Sequence, residues 1–363
     1  MELTRLDFIK LLGSAAIGAS SRLSAQATPR LRDVAATKNL LAGSAVSYAE
    51  LHRPAFTGLL AEQASIVVPE NDMKWQIIHP EPDRFDFTRA DALVSFATDH
   101  NQKVRGHNLC WHNQLPAWFA QVATEANAAD LLRQHIAKVA GHFAGHIHSW
   151  DVVNEAVHVE DGRPDGLRNS QWLKLLGPDY IGIAYRAAAQ ADPHALLTYN
   201  DYDIEQDGPK FDQKRAAVLQ LLTSMRKQKI PLHALGLQSH LKASAKLPDW
   251  TALHNFMNAA EKLDLQIFVT ELDVNDSELT GDIRQHDDAV AALYRSYLTN
   301  VLQHRSVTAI LTWGLTDADT WLNSPRREHK PETPLRPLPF DADLKAKPAF
   351  YAEIDAMKAA PTR

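Results

Sequence analysis

Short apolar runs alternate with longer segments of helical periodicity along most of this 363-residue chain. The runs are apolar almost throughout, which is typical of parallel strands that are buried on both faces. They predict eight strands, at residues 40–47, 66–69, 103–106, 149–153, 196–199, 234–237, 266–270 and 307–312.

The intervening segments have apolar residues at helical spacing. Leu132, Ile136, Val139 and Phe143 form one such stripe, and a second stripe runs through 290–301. Further helices are predicted near 53–63, 88–100, 179–191, 209–228, 249–263 and 348–359. Eight strand–helix units predict an α/β fold, a single (β/α)8 TIM barrel. A doubly wound open sheet is the alternative, but no glycine-rich dinucleotide fingerprint follows the first predicted strand.

The N-terminus has the composition of a secretory signal peptide. Arg5 and Lys10 precede a short apolar stretch, and Ala25-Gln26-Ala27 is a small-x-small cleavage pattern. We therefore expect residues 1–27 to be a signal peptide, 28–363 to be the catalytic barrel domain, and the protein to be secreted or periplasmic. Residues 4–10 resemble a twin-arginine signal with Leu6 in place of the second arginine, so the export route stays open. The alternative is a disordered or helical N-terminus on the mature protein.

The net charge limits the partners that the protein can bind, and the cysteine content limits its covalent chemistry. The net charge of −6 argues against a nucleic-acid partner or an anionic membrane surface for the mature form. Cys110 is the only cysteine, which excludes an intramolecular disulfide. Its apolar neighbours predict a buried, inert thiol.

Polar and aromatic residues follow at least seven of the predicted strands. In a barrel the carboxyl ends of the strands form one face, where active sites are built. Ordinary loop starts are polar too, but they favour serine, glycine, lysine and aspartate over the residues found here. These are Glu70-Asn71, His107-Asn108, Asn154-Glu155, Asn200-Asp201, Gln238-Ser239-His240, Glu271 and Trp313.

Two of these residues, Glu155 and Glu271, end apolar runs 116 positions apart. Paired carboxylates suit the cleavage of a glycosidic bond, which needs a proton for the leaving oxygen and a nucleophile or base. We assign Glu155 as general acid and then base, because apolar surroundings keep a carboxyl group protonated. Glu271 is the predicted nucleophile. His240 would keep it ionised, and Asp273 would tune the charge of that histidine. A retaining reaction predicts carboxyl groups about 5–5.5 Å apart.

Seven phrases in order resemble the endo-β-1,4-xylanases of glycoside hydrolase family 10. The likeness extends from about residue 40 to the region around Lys347-Pro348. The phrases are 69–75 (PENDMKW), 105–112 (RGHNLCWH), Asn154-Glu155, 199–202 (YNDY), 238–241 (QSHL), 270–273 (TELD) and Trp313-Gly314.

The resemblance implies a barrel, a retaining double displacement, no cofactor, and xylan and xylo-oligosaccharides as the substrate. Glu155 matches the family's acid/base and Glu271 its nucleophile. Asn154, His240 and Asp273 are assigned as catalytic support. Sugar contacts or their supports are assigned to Glu70, Asn71, Lys74, His107, Trp111, Gln114, Tyr202, Gln238, Trp313 and Trp321. We expect a monomer with no carbohydrate-binding module.

Departures from the family pattern and rival functions keep some questions open. Asn108, Cys110, Asn113 and Leu322 replace commoner residues beside the site, which affects subsite preference more than the reaction. The segment 241–248 lacks a glycine that is often present.

Mixed-specificity β-1,4-glucanase/xylanase activity is the nearest alternative function. A sugar-binding protein without catalysis and a metal-dependent hydrolase are further ones, although no His-Glu-x-x-His helix is present.

Overall fold

The computed structural model describes residues 28–244, 246–324 and 333–363. The predicted signal peptide, 1–27, lies outside the described residues. In the described part of the chain, no helix has both the length and the apolar character needed to cross a membrane.

Eight parallel strands close into a barrel, as the sequence predicts. Neighbouring strands pair in chain order from the first to the sixth, β9 closes on β1, and β6 pairs with β8. A short ninth strand, β7, pairs with the far end of β8. The strands are β1 Leu41–Val46, β2 Ile66–Pro69, β3 Lys103–Cys110, β4 Ser149–Asn154, β5 Leu196–Asp201, β6 Ala234–Leu237, β7 His240–Lys242, β8 Gln266–Asn275 and β9 Val307–Thr312.

Within the described ranges, eight long helices surround the barrel, at the positions that the periodicity predicts. Three of them begin with Pro54, Pro209 and Pro348, because proline suits the first helical turn, where its missing N–H costs no bond. They are α2 Pro54–Gln63, α4 Thr88–Asp99, α6 Ala128–His142, α8 Asp179–Ala191, α9 Pro209–Lys227, α10 Thr251–Glu261, α11 Ile283–Val301 and α12 Pro348–Ala359. Shorter helices are α1 Leu31–Ala36, α3 Trp75–Ile78, α5 Phe119–Val122 and α7 Gln171–Leu176.

The strands are buried on both faces, and each face packs into a different apolar cluster. Ile66 and Val68 belong to the smaller cluster, whereas Val67 between them belongs to the larger one. Because successive side chains of a strand point to opposite faces, the smaller cluster fills the barrel and the larger one lies between strands and helices. This packing explains the near-continuous apolar runs of the sequence.

Two strands, β3 and β8, extend four and five residues past their predicted ends, and one strand was not predicted at all. The apolar run of β3 stops at Gly106, but the strand continues to Cys110. β8 continues to Asn275, so Glu271 lies inside the strand rather than after it. These extensions carry polar side chains at the mouth of the barrel, where residues pair as strand without being apolar. The same reason hid β7, three residues long.

Candidate active site

A cleft with a volume of about 490 Å³ opens at the carboxyl ends of the barrel strands. It is lined by every residue that the sequence assigned to catalysis or substrate binding except Asp273, which lies behind His240. Asn113 and Asp203 also line it. The predicted lining residues are Glu70, Asn71, Lys74, His107, Trp111, Gln114, Asn154, Glu155, Tyr202, Gln238, His240, Glu271, Trp313 and Trp321.

Glu271 is buried, and both of its carboxylate oxygens have partners. The amide of Asn200 donates to Oε1 at 2.7 Å, and Nε2 of His240 lies 3.1 Å from Oε2. On its other side, Nδ1 of His240 lies 3.0 Å from Oδ1 of Asp273. One imidazole therefore bridges two carboxylates, as the residue pattern predicted.

The charges of this triad stabilise one another. Burial alone would lower the pKa of His240, but the charge and hydrogen bond of Asp273, together with Glu271, raise it well above its usual value. Burial likewise raises the pKa of Glu271. The hydrogen bond from His240, the nearby His107 and the Asn200 amide outweigh that effect and lower it to about 2. Glu271 is thus an ionised carboxylate paired with an imidazolium near neutral pH.

Glu155 follows β4 at a residue with a backbone φ of +58°. This left-handed conformation is uncommon for a residue with a side chain. Its carboxyl group accepts hydrogen bonds from three neutral groups, Nε1 of Trp111 at 2.8 Å, Nε2 of Gln238 at 3.0 Å and Nδ2 of Asn154 at 3.2 Å.

His112 lies near the same carboxyl group, with its Nδ1 3.9 Å from Oε2 of Glu155. Burial, with the charge of Arg168 adding to it, lowers the pKa of His112 to about 4. This histidine is therefore neutral near pH 7, and the two glutamates differ in the charge of their hydrogen-bond partners.

Asn200 connects the two glutamates. Its Nδ2 donates to Glu271 and also to Oδ1 of Asn154, at 2.9 Å, and Asn154 in turn bonds Glu155. The hydroxyl of Thr270 donates to Oδ1 of Asn200 at 2.7 Å, which fixes the orientation of that amide. We did not assign Asn200 to the site from sequence, although its position at the end of a predicted strand was a usable signal.

Lys74 and Glu70 place opposite charges on the side of the cleft formed by β2. Burial lowers the pKa of Lys74, and the negative charges of Glu271 and Glu70 oppose this shift only in part. Burial raises the pKa of Glu70, and the positive charge of Lys74 opposes that shift only in part. The Lys74 ammonium donates to Oδ1 of Asn71 at 3.0 Å and lies 4.9 Å from the ring centroid of Trp111. Gln114 is 3.5 Å from the same Asn71 oxygen.

Tryptophans form another wall of the cleft. Trp313 is buried, with the ring of His107 against it edge-on at 5.3 Å, whereas Trp321 is 37% exposed. Nε1 of Trp321 donates to Oδ2 of Asp273 at 2.7 Å, which ties this wall to the Glu271 triad. Tryptophan faces of this kind stack on the C–H surfaces of sugars.

Below the cleft, His107 belongs to a buried polar cluster inside the barrel. Its Nδ1 lies 2.9 Å from Oδ2 of Asp151, and Asp151 also pairs with the buried guanidinium of Arg105. Cys110 is fully buried, and burial raises the pKa of its thiol, in agreement with the predicted inert role. Among the described residues, no group of three or more His, Cys, Asp or Glu side chains has the arrangement of a metal site.

The profile of Glycosyl hydrolase family 10 matches residues 30–356. The chain belongs to this family. The ordered phrases of the sequence are therefore family 10 motifs, and the cleft is the place where they meet.

Several named family 10 relatives match most of this chain. Endo-1,4-beta-xylanase B from Paenibacillus barcinonensis is 35% identical over 316 residues, which cover 81% of this chain and 89% of that protein. Endo-1,4-beta-xylanase A from Thermoanaerobacterium saccharolyticum is 36% identical over 318 residues, 84% of this chain. The match covers only 26% of that much longer protein, and 27% of Exoglucanase XynX from Acetivibrio thermocellus.

Solved family 10 structures have the same fold. Xylanase 10B from Thermotoga petrophila RKU-1, in complex with xylobiose, is 32% identical with a TM-score of 0.82, covering 91% of this chain and 98% of that one. Endo-1,4-beta-xylanase XylE from Penicillium canescens is 28% identical with a TM-score of 0.82, covering 92% and 99%.

Proposed function

We propose that this protein is a retaining endo-1,4-β-xylanase that cleaves internal β-1,4-xylosidic bonds of xylan. In the first step the Glu271 carboxylate attacks the anomeric carbon while Glu155 gives its proton to the leaving oxygen. The products are a covalent glycosyl-enzyme and a released sugar chain. In the second step Glu155 takes a proton from water, whose oxygen displaces Glu271 from the anomeric carbon.

The difference in charge between the hydrogen-bond partners of the two glutamates carries this proposal. Glu271 is paired with the imidazolium of His240 and has a pKa of about 2, as a nucleophile that must stay ionised requires. Glu155 is held by three neutral donors, so its hydrogen-bond partners include no cation comparable to His240.

The rest of the cleft suits a neutral polysaccharide. Lys74, Asn71 and Glu70 supply the ammonium, amide and carboxylate groups that bind vicinal hydroxyls, and the tryptophan wall supplies stacking surfaces. Asn154, which touches Glu155 and Asn200, is assigned to the sugar's 2-hydroxyl. That contact strengthens in the transition state of glycosidases.

The experiment is hydrolysis of xylan followed by NMR of the newly formed anomer. We expect the β-anomer first, and an initial α-anomer would contradict retention.

Glu271→Ala should reduce turnover by at least about 10³-fold with unchanged circular dichroism, because the covalent step is lost.

Glu155→Ala should slow xylan hydrolysis far more than the formation of the glycosyl-enzyme from a nitrophenyl xylobioside, whose leaving group needs little protonation. Equal losses on both substrates would contradict the acid role.

Mixed-specificity β-1,4-glucanase/xylanase activity is the second candidate. It is favoured by the name of one relative, Exoglucanase XynX from Acetivibrio thermocellus, which is 35% identical over 84% of this chain. Turnover on xylan relative to carboxymethyl cellulose separates the two. A ratio near one would favour the broader activity.

We also propose that the protein is exported and acts as a monomer. The signal-like segment at residues 1–27 supports export. N-terminal sequencing of the protein recovered outside the cytoplasm should begin at Thr28, and recovery with Met1 intact would contradict cleavage. Light scattering measures the oligomeric state.

A further inference from the structure

Glu205 is a buried glutamate that the two-step reaction does not use. Its side chain is buried, and both of its oxygens accept backbone hydrogen bonds. Oε1 accepts the N–H of Ser239 at 2.8 Å, and Oε2 accepts the N–H of Ile204 at 2.9 Å. After burial, the strongest influences on its charge are these backbone bonds and the carboxylate of Asp203, none of which is a cation.

The first of these bonds holds a residue in an uncommon backbone conformation, directly before His240. Ser239 has a φ of +65°, which residues with a side chain seldom adopt and which persists only where the surroundings fix it. Three elements fix it here. Its N–H donates to Glu205, its carbonyl oxygen accepts the N–H of Asp273 at 3.3 Å, and its hydroxyl lies 2.6 Å from that of Tyr297 in α11.

The direction of the His240 ring depends on this backbone. One ring nitrogen must reach Asp273, at 3.0 Å, and the other must reach Glu271, at 3.1 Å. His240 begins β7, which is only three residues long, so strand pairing contributes few bonds to its placement. Because the peptide that joins Ser239 to His240 sets the direction of the histidine side chain, a shift of that peptide moves the ring away from both carboxylates.

The loop that carries Glu205 is itself fixed in place. The guanidinium of Arg215, in α9, donates to the backbone carbonyls on either side of Glu205, at 3.1 and 2.7 Å. Farther along the loop, Oδ2 of Asp207 accepts the backbone N–H of Asp249 at 2.6 Å. The loop after β5 thus holds the segment after β6 at two points, and Glu205 is the point beside the triad.

The charge of Glu205 matters for this contact, because only the carboxylate has two oxygens that are both free to accept. A proton on the group, or an amide in its place, turns one side into a donor. Burial raises the pKa of Glu205 to about 7, although the two backbone N–H bonds oppose that rise. The group is therefore ionised at pH 8.

We propose that Glu205 is a positioning residue that holds the Ser239 backbone and thereby aims His240 at the nucleophile, Glu271. This inference rests on the proposed function and adds to it a residue behind the triad. Glu205 does not line the cleft, so a change there loosens the bonds of His240 without removing a group that touches the substrate.

The kinetic test compares the wild type with Glu205→Gln at pH 8. The amide leaves one of the two backbone N–H groups without an acceptor, so the peptide before His240 is free to shift. We expect kcat/KM to fall by about tenfold to 100-fold, since a misplacement of about 1 Å costs up to about 10²-fold. The loss should appear on both xylotetraose and nitrophenyl xylobioside, because both substrates need attack by Glu271.

NMR of protein labelled with ¹⁵N-histidine gives a second readout that does not depend on turnover. The imidazole N–H signals of His240 are assigned by their absence from His240→Asn. In the wild type at pH 8 both should be visible, because each proton is held by a carboxylate. Glu205→Gln should lose them through exchange with water, whereas a variant that is only less stable would keep them.

Two further variants separate positioning from general damage. Asp207→Asn changes an exposed carboxylate of the same loop that also accepts one backbone N–H, and it should keep both the wild-type kcat/KM and the His240 signals. Glu205→Asp keeps the charge but withdraws it from Ser239 by one methylene. It should show the same two losses, and it carries the test if Glu205→Gln does not fold.

Unchanged His240 signals in a folded Glu205 variant, or an unchanged kcat/KM, would overturn the inference alone. A wild type inactive on both substrates would overturn the proposed function. The NMR comparison would then decide by itself whether Glu205 positions His240.

Discussion

At the scale of single residues, His240 is the cation that hydrogen-bonds the nucleophile. One ring nitrogen faces Asp273 and the other faces Glu271, so each N–H of the imidazolium has its own carboxylate acceptor. A buried carboxylate without this cation would be protonated more readily, since burial disfavours its charge. The low pKa of Glu271 is therefore a property of the triad rather than of the glutamate.

His240→Asn tests this dependence. The variant keeps a hydrogen-bond donor but removes the positive charge, so burial should raise the pKa of Glu271 and move the acid limb of kcat/KM to higher pH. The measurement is the pH–rate profile on a nitrophenyl xylobioside. A limb at its wild-type position would contradict the argument, and the matched control is His286→Asn, at a half-buried histidine that pairs with Asp276 outside the cleft lining.

The same triad contributes to folding with a defined pH dependence. The pKa of Glu271 is depressed from 4.5 to about 2, so its contribution is present above pH 4.5 and is lost as pH falls toward 2. The pKa of His240 is raised above 6.5, so its contribution is complete below pH 6.5 and is lost only as pH rises through the higher folded value. Chemical denaturation of His240→Asn should show its largest deficit between these limits, and a deficit independent of pH would contradict the assignment.

At the scale of strands, Gly236 on β6 makes room for Asn200 on β5. A Cβ atom at Gly236 would lie 2.2 Å from Oδ1 of Asn200 and 3.0 Å from Cγ2 of Thr270. Both side chains belong to the network that orients Glu271. The spacing of two strands is thus coupled to the position of the nucleophile.

We predict that Gly236→Ala lowers kcat on xylan by at least about tenfold and destabilises the fold by about 1–3 kcal/mol, the usual cost of overpacking. Gly58→Ala is the matched control, because a Cβ atom there meets nothing within 4 Å. In helix α2 that change should stabilise the protein by about 0.5–1 kcal/mol. Steady-state kinetics and urea denaturation measure both effects, and equal kinetics in the two variants would refute the coupling.

Strands and helices could be predicted from the sequence wherever an element was apolar in a regular pattern. All eight barrel strands and all eight long helices are confirmed on that basis. The ends of β3 and β8 and the whole of β7 were missed, because cleft residues such as His107, His240 and Glu271 interrupt their apolar pattern. Arg168 gave no signal either, since it lies in a loop and its hydrogen bond to the backbone carbonyl of Glu155 follows no sequence pattern.

At the scale of the whole molecule, closure of the barrel is what brings the predicted residues together. The carboxyl ends of β4 and β8 meet at one face only because β9 pairs with β1. The sequence predicted this by the number of its strand–helix units. The separation of the two carboxyl groups, about 5–5.5 Å for a retaining enzyme, stays a prediction.

The pH dependence of global stability should depend on Glu353, in the last helix of the barrel. Its side chain is fully buried, and neither carboxylate oxygen has a partner among the described residues. Burial raises its pKa from 4.5 to about 8, so the folded protein holds a proton that the unfolded chain releases near pH 4.5. Stability is therefore lost as pH rises from 4.5 to 8, by at most about 1.4 kcal/mol per pH unit.

Glu353→Gln removes this titration while keeping the size of the side chain. We expect the variant to gain stability over the wild type as pH rises from 5 to 8, as measured by urea denaturation at each pH. Glu62→Gln, at an exposed position in α2, is the control and should show no such trend. A constant difference between Glu353→Gln and the wild type would mean that Glu353 is already ionised in the folded protein. In that case the barrel would have to hold a buried charge between its last two helices.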